Sequence, residues 1–378
     1  MLPIPFRSLG AALILSLAGN LPAQSKPAAD PLAVPWKLVP PAAGVPCPSH
    51  ETKLDAPTDL VAGEFPLSVH RPPVVDGDTL RVDGLDGSIR FIGLDCEETF
   101  KDKGKARLAR ENWDEYVKTE TAGKESRRPP KYATPMGMAA KSGLEAMLQG
   151  VDKVRLEYDE PDRKRDGYGR HLCFVLAKRD GIWVNLNVEI VRQGLSPYFV
   201  KYGRSRRRHD AFVAAESEAR SAKRGIWGPL EPIRHYGDYE LRLVWWRERD
   251  ESDRAARAAR AKNENIFILG TAAEWERLKT FVGRPVTVVS TISAFRERGG
   301  MGLLSLVHAD KNDFMVVGKD SVVVELQKKP KEFEGDLVFV TGVVALYEGR
   351  PQFVQSAETP VRFDRKPPAA PESAPASK

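Results

Sequence analysis

An apolar segment ends in a cluster of acids in FIGLDCEET, residues 91–99. Asp95, Glu97 and Glu98 lie within four positions of one another there. Carboxylates this close repel one another and resist burial, so they require either water or a cation to compensate their charge. The residue types therefore indicate either a solvated turn or a site that holds a cation.

A further acid, Asp78, lies 17 residues before Asp95 in VVDGDTLRV. GLDG at residues 84–87 is a turn signal and predicts a hairpin whose two strands lie side by side. Asp78 and Asp95 would then face one another at one end of a barrel. Two carboxylates with backbone oxygens and waters are the ligands that calcium or magnesium prefers. The carbonyl oxygen of Cys96 would serve such an ion, whereas its soft sulfur would not.

Two arginines are candidates for the same site, Arg90 in the strand that leads to Asp95 and Arg170 at the end of DGYGR. A planar guanidinium that grips two phosphate oxygens is a common reason for placing arginine beside a cation. Strict alternation along a strand places Arg90 and Asp95 on opposite faces, so we expect a bulge or bend at Gly93. The alternative is that these residues are surface turn acids and solvated arginines.

The elements that position these residues follow from periodicity and turn signals. Strands are predicted over residues 67–82 and 88–94, followed by a basic insertion at 101–131, where ten Lys/Arg stand against six Asp/Glu. We expect this insertion to be exposed, with a short helix near residues 106–117. Further strands are predicted at VDKVRLEYDE and HLCFVLAKRDG, and helices at 135–149, 183–193 and 210–224.

Several of these stretches resemble the staphylococcal nuclease (thermonuclease-like) family. The resemblance runs in order through VVDGDTLRV, IRFIGLDCEET, DGYGRHLCFV, VRQGL and SEARSAKRGIW, and it covers roughly residues 66–230. It implies a five-stranded OB-type barrel with three helices, and hydrolysis of DNA and RNA that leaves 3′-phosphate ends. It also implies a calcium site formed by Asp78, Asp95 and the Cys96 carbonyl. The catalytic residues that it implies are Glu98, Arg90 and Arg170.

The sequence departs from the family pattern near the site. Glu97 stands where proline is usual, and it would raise the pKa of Glu98 or compete for the metal. Cys96 and Gly167 replace a threonine and a phosphate-contacting lysine, and Val200 replaces one of two tyrosines that flank the nucleotide pocket. Tyr202 matches the other of these tyrosines, so the resemblance implies weaker base stacking.

A basic stretch, KYGRSRRRH at residues 201–209, follows the predicted site. Beside a site that cuts phosphodiesters it would track a nucleic-acid backbone, with an aromatic ring for stacking. A solvated charge run is the alternative. The predicted nucleic-acid contacts are Tyr168, Lys201, Tyr202, Arg204, Arg206 and Arg207.

The ends of the chain differ in composition from its middle. Residues 1–23 show one arginine, an apolar run and a small residue, which predicts a secretory signal peptide, with an uncleaved anchor as the alternative. Residues 24–65 are rich in proline and predict an extended linker. A signal peptide implies a secreted, periplasmic or cell-envelope protein whose mature chain has no stable membrane insertion. We take a monomer as the default.

The second half of the chain predicts another domain. Residues 233–265 are highly charged and predict a solvated connecting helix. Residues 266–363 loosely resemble OB-fold modules and predict a small β-barrel, while residues 364–378 predict a disordered tail. This barrel would help hold a polynucleotide, or it would serve as a structural cap or protein-docking module.

The whole sequence therefore predicts an α+β chain made mainly of β-barrels. It has a nuclease-like domain at residues 66–232, a charged helix and a second OB-like barrel. The net charge of +6 favours anionic partners such as DNA or RNA. The predicted activity is that of an exported, calcium-dependent nuclease. The alternatives are a non-catalytic module of the cell envelope that binds nucleic acid or protein, and an envelope scaffold.

Overall fold

The structure is a computed structural model, and it describes residues 32–123, 129–308, 313–319, 333 and 335–365. The predicted signal peptide and nearly all of the predicted carboxyl-terminal tail lie outside these residues. Within them, helices and mixed sheets are both present, so the α+β prediction is confirmed. No helix in the described part of the chain combines the length and the apolar character that crossing a bilayer requires.

The first sheet has eight strands. They are β1 (His50–Glu51), β2 (Val61–Pro66), β3 (Val74–Asp76), β4 (Thr79–Leu80), β5 (Ile89–Phe91), β6 (Lys153–Glu157), β7 (His171–Arg179) and β8 (Ile182–Asn185). β4 and β5 form the predicted hairpin, and β5 pairs in parallel with β7. β7 pairs with β6, and β6 pairs with β2. A bridge between Leu67, just after β2, and Val82, just after β4, joins the two ends of this series. The pairings thus close on themselves around one core.

Seven α-helices lie in the described residues. They are α1 (Lys103–Glu111), α2 (Trp113–Thr121), α3 (Pro135–Met147), α4 (Leu186–Arg192), α5 (His209–Ser221), α6 (Tyr239–Lys262) and α7 (Ala272–Lys279). The basic insertion holds two helices rather than one short helix, because Asn112 ends α1 and caps α2. The predicted helix at 183–193 begins later. Its first residues complete β8, and Asn185 then caps α4 by accepting from Asn187 N and Val188 N.

The segment before β2 is packed more closely than an extended linker would be. Trp36, Leu38 and Leu54 are partly buried against the first core, and β1 pairs with β8. Arg192 at the end of α4 donates to the Val39 carbonyl, and the Val39 amide donates to the side chain of Gln193, the next residue. Apolar side chains spaced among the prolines explain this attachment, because each one covers core surface as it docks.

The second sheet has seven strands and a separate core. They are β9 (Ile266–Ile268), β10 (Pro285–Arg298), β11 (Met301–Leu306), β12 (Phe314–Gly318), β13 (Leu337–Tyr347), β14 (Arg350–Val354) and β15 (Arg362–Asp364). β10 pairs with β11 and β13, β11 with β12, β12 in parallel with β14, and β14 with β13. These five strands form a closed ring. Its assignment as an OB-like domain, and the domain boundaries, stay predictions.

α6 is not the solvated connecting helix that its charge predicts. Leu243 and Trp246 are buried, and so are the charged residues Arg249 and Asp250. Arg249 and Asp250 can be buried because each has polar partners outside α6. Arg249 reaches backbone and hydroxyl oxygens, and Asp250 pairs with Arg204.

Candidate active site

A glycine turn brings the site together after β5 ends at Phe91. Gly93 has a φ of +72°, in the left-handed region that favours glycine. A Cβ at this position would also lie 2.7 Å from the Phe212 ring. Because the turn interrupts the alternation of the strand, Asp95 returns to the side on which Arg90 lies. The expected bend at Gly93 is therefore present.

Arg90 joins the two acids that the hairpin brings together. Its Nη1 donates to Asp78 Oδ1, and its Nη2 donates to Asp95 Oδ1 at 3.0 Å and to the Leu94 carbonyl at 3.1 Å. The other Asp78 oxygen, Oδ2, accepts from the Cys96 amide at 2.9 Å. Asp78 and Asp95 are only 2% and 7% exposed. Two buried carboxylates therefore share one guanidinium.

The electrostatics of this cluster do not fully offset the burial of Asp78. Burial raises the pKa of Asp78 to about 7 even though Arg90 acts to lower it, and the negative charges of Asp76 and Asp95 add to the rise. Burial acts to lower the pKa of Arg90, but the two carboxylates outweigh it and raise that pKa. The Arg90 guanidinium thus bonds both acids, but it does not fully offset the cost of burying the Asp78 charge.

Lys131 is a member of the cluster that the sequence analysis did not single out. Its ammonium donates to Asp95 Oδ1, and its side chain is about half exposed. The sequence indicated only that residues 101–131 are basic. The position follows from the pairing of the next residues, because a bridge between Glu98 and Ala133 runs the end of the insertion alongside the acidic turn.

Glu97 and Glu98 point to different surroundings. The Glu98 side chain is exposed, while its carbonyl accepts from Thr134 N at 3.0 Å. Glu97 is 2% exposed and accepts from Thr134 Oγ1, from Tyr236 N at 2.8 Å and from Tyr239 Oη at 2.7 Å. Competition of Glu97 for the metal, one of the two expectations, is contradicted by these bonds. Its carboxylate instead ties the start of α3 to the start of α6.

Arg170 is held in its own loop rather than in the Arg90 cluster. Its Nε donates to Asp166 Oδ2 at 2.7 Å, and its guanidinium lies 5.6 Å from the centroid of the Tyr168 ring. Tyr168 is 89% exposed. Among the contacts described for this part of the chain, none joins Arg170 to Asp78, Arg90 or Asp95. Sequence order alone could not give the direction of this side chain.

The basic stretch at residues 201–209 is largely built into the fold. Arg204 pairs with Asp250 at 2.8 Å, Arg207 with Glu157 at 2.9 Å, and Arg206 with Glu160 at 3.7 Å. The partners Asp250 and Glu157 are buried, so Arg204 and Arg207 compensate carboxylate charges that would otherwise be buried without a partner. The picture of a simple solvated run is wrong for these two arginines. Tyr202 is exposed, whereas Lys201 is partly buried.

The donor set at Asp78 and Asp95 suits a hard cation. In the ranges that the structure describes, no group of three or more His, Cys, Asp or Glu side chains converges as a metal cage. Two carboxylates that meet at one guanidinium form a smaller set, made only of hard oxygens. Calcium accepts such sets when carbonyl oxygens and waters supply the remaining ligands. The residues present therefore fit calcium better than zinc or another soft metal.

Comparison with known proteins identifies one part of the chain. Residues 88–229 match the family model described as staphylococcal nuclease homologue. This segment includes Arg90, Asp95, Glu98 and Arg170, while Asp78 precedes it.

Curated relatives match over about two fifths of the chain. An uncharacterized protein of Methanocaldococcus jannaschii is 28% identical over 41% of this chain and 68% of its own length. Endonuclease YncB of Bacillus subtilis is 28% identical over 40% of this chain and 58% of its own length. Thermonuclease of Staphylococcus intermedius is 29% identical over 41% of this chain and 72% of its own length. The chain thus spans less than two thirds of YncB and somewhat more of the other two.

Proposed function

Since residues 88–229 carry a staphylococcal nuclease homologue domain, we propose that this chain is a calcium-dependent nuclease that hydrolyses phosphodiester bonds of DNA or RNA. The observation that supports the proposal most is the bridging of two buried carboxylates by Arg90, with the Glu98 carboxylate in water three residues beyond Asp95. Relatives named endonuclease and thermonuclease support the same activity.

Each residue of the site has a proposed role. Asp78, Asp95 and the Cys96 carbonyl would hold calcium, which when bound draws charge from a non-bridging phosphate oxygen. Glu98 is exposed, so it can accept a proton from a water that attacks the phosphorus in line. Arg90 stabilises the added negative charge of the five-coordinate transition state.

Arg170 would complete the clamp on the phosphate. Its present partner, Asp166, lies in the same loop four residues earlier, so a phosphate could take over the guanidinium without unfolding a strand. A phosphate offers two oxygens to the guanidinium fork, which makes it a strong competitor for an arginine that is partly exposed. Arginine is a poor proton donor, so water protonates the leaving oxygen.

Cleavage by the full chain tests this proposal. Labelled single-stranded DNA, double-stranded DNA and RNA would be incubated with calcium or with a chelator. We expect cleavage only with calcium, and products that end in 3′-phosphate. The Glu98→Gln variant should lose about 10²–10⁴-fold in turnover, as general-base variants do.

Glu111→Gln serves as the matched control, because Glu111 is an exposed glutamate at the end of α1. It should cleave as the wild type does. Cleavage that persists in the chelator would reject the metal-dependent mechanism, and near-normal turnover of Glu98→Gln would remove Glu98 from its role.

A binding module without chemistry is the second candidate. The pairing of Arg170 with Asp166, away from the Arg90 cluster, favours it, because the set of catalytic residues is not assembled in this arrangement. Retained oligonucleotide binding with no cleavage under any divalent cation would support it. Export of the chain is likewise a proposal, and it depends on the apolar run near the amino terminus.

A further inference from the structure

The segment that follows α4 is fastened directly to the acidic turn. The Asp95 amide donates to Ser196 Oγ at 2.9 Å, and the Phe199 amide donates to the Gly93 carbonyl at 2.9 Å. Lys201 and Tyr202 come next in the chain. The Asp95 charge is near enough to act on the pKa values of both side chains. The bonds of Ser196 and Phe199 therefore fasten the segment that carries these two residues to the acidic turn.

Helix α6 packs on the same segment. The Phe199 and Trp246 rings meet edge to face with centroids 4.7 Å apart. The Arg249 Nε donates to the Lys201 carbonyl at 2.6 Å, and Asp250 pairs with Arg204. Three independent contacts thus hold the middle of α6 against residues 199–204. This helix begins at Tyr239, beyond the segment that matches the family model.

The docking of α6 places a second aromatic ring near the ammonium that also lies near the Tyr202 ring. The Lys201 ammonium lies 5.1 Å from the centroid of the Tyr202 ring and 4.8 Å from that of the Trp245 ring. The Arg163 guanidinium lies 5.4 Å from the Tyr202 centroid. Tyr202 is 49% exposed, and Trp245 is partly buried.

The charges around Tyr202 favour an anionic or electron-rich ligand. Burial acts to raise the pKa of Tyr202, but Lys201 and Arg249 outweigh it and lower that pKa. Burial also lowers the pKa of Lys201. Aromatic rings interleaved with cations are what single-stranded nucleic-acid sites use, because rings stack on bases and cations pair with phosphates.

We propose that Trp245 and Tyr202, with the Lys201 ammonium near both rings, form a stacking platform for a nucleobase of a single-stranded polynucleotide whose neighbouring phosphate lies at Arg90. The inference deepens the proposed function and rests on it. It assigns a substrate-binding role to α6, a helix outside the family match, and to Trp245 as a residue that sets preference for unpaired strands.

Oligonucleotide binding tests the platform without any cleavage. Fluorescence anisotropy would measure the affinity of the full chain, in chelator, for a labelled single strand and for an abasic strand of equal length and charge. Trp245→Leu should weaken binding to the base-bearing strand about tenfold, as loss of one base–aromatic contact does. Its affinity for the abasic strand should stay within about twofold of the wild type. Trp245→Phe should retain most of the affinity for bases, since it keeps a ring.

Trp183→Leu is the matched control. Trp183 is also partly buried and also has a lysine ammonium near its ring, Lys178 at 5.9 Å, but it lies on β8. Thermal melting of every variant shows which of them fold. We expect wild-type affinity from Trp183→Leu for both strands.

Several results would overturn the inference. They are wild-type affinity of Trp245→Leu for bases, an equal loss on the abasic strand, or no preference of the wild type for the base-bearing strand. A cleavage assay with calcium is read separately. If the wild type does not cleave but Trp245→Leu still weakens binding to the base-bearing strand, the proposed nuclease activity is rejected and the platform stands. If the wild type cleaves normally but Trp245→Leu does not weaken that binding, only the platform is rejected.

Discussion

Replacing Asp78 by asparagine should make the metal-free protein more stable at neutral and alkaline pH. The Asp78 carboxyl is buried, and its pKa rises from the ordinary value of 3.8 to about 7 on folding. The folded chain therefore keeps a proton that the unfolded chain releases between these values. The stability that this proton provides is present below pH 3.8 and is lost as the pH rises through 7.

The size of the effect follows from the same shift. A shift of about three pKa units corresponds to about 4 kcal/mol of lost stability above pH 7. Asparagine removes the buried charge and keeps an oxygen for the Cys96 amide, but it leaves Arg90 with Asp95 alone. We therefore expect a net gain of about 1–3 kcal/mol at pH 8, since an unbalanced guanidinium offsets part of the benefit.

Urea unfolding in the presence of a chelator, from pH 5 to pH 8, measures this difference. The difference between variant and wild type should be small near pH 5 and should grow towards pH 8. Asp86→Asn is the control. Its carboxyl is exposed, and hydrogen bonds from Arg165 and His171 lower its pKa. A lowered pKa gives stability that is lost only as the pH falls through that pKa, so loss of the Asp86 carboxyl itself adds no trend over the range. A less stable Asp78→Asn protein at pH 8, or a difference that does not change with pH, would show that the buried Asp78 charge does not limit stability.

Other predictions concern the turn, the buried glutamate and the thiols. Gly93→Ala should destabilise the protein by about 2–4 kcal/mol in urea unfolding, because a left-handed φ disfavours alanine and the added Cβ would clash with the Phe212 ring. An unchanged unfolding midpoint would contradict this. Glu97→Ala should cost about 3 kcal/mol or more by leaving three donors unpaired, and Glu97→Gln should cost less; equal losses in the two variants would argue against the bonding described. A thiol reagent should modify only Cys47 in the native protein, because Cys96 and Cys173 are buried. Burial also raises the pKa of both buried thiols, that of Cys173 to about 12. Fast modification of two or more thiols would show that the core opens.

The local elements of the site could be predicted because they depend on neighbours in the sequence. The turn between β4 and β5 and the proximity of Asp78 to Asp95 follow from a hairpin, which sequence signals specify well. Strict alternation alone would place Arg90 and Asp95 on opposite faces, and the bend expected at Gly93, which is present, brings them to the same side.

The remaining features depend on contacts between distant segments. Nothing in FIGLDCEET distinguishes Glu97 from Glu98, because their surroundings are set by Tyr236 and Tyr239, about 140 residues away. The role of Lys131 depends on the path of a long insertion, and the burial of α6 depends on partners such as Lys201. A charged helix looks solvated in sequence until the acceptors that compensate its charges are known.

Titration calorimetry of the full chain with calcium is the most decisive test of the proposed metal site, since it requires no knowledge of the substrate. We expect one calcium ion per chain, loss of this binding in both Asp78→Asn and Asp95→Asn, and wild-type binding in Asp86→Asn. Calcium that binds Asp78→Asn and Asp95→Asn as tightly as the wild type, or a wild type that binds none, would contradict this expectation.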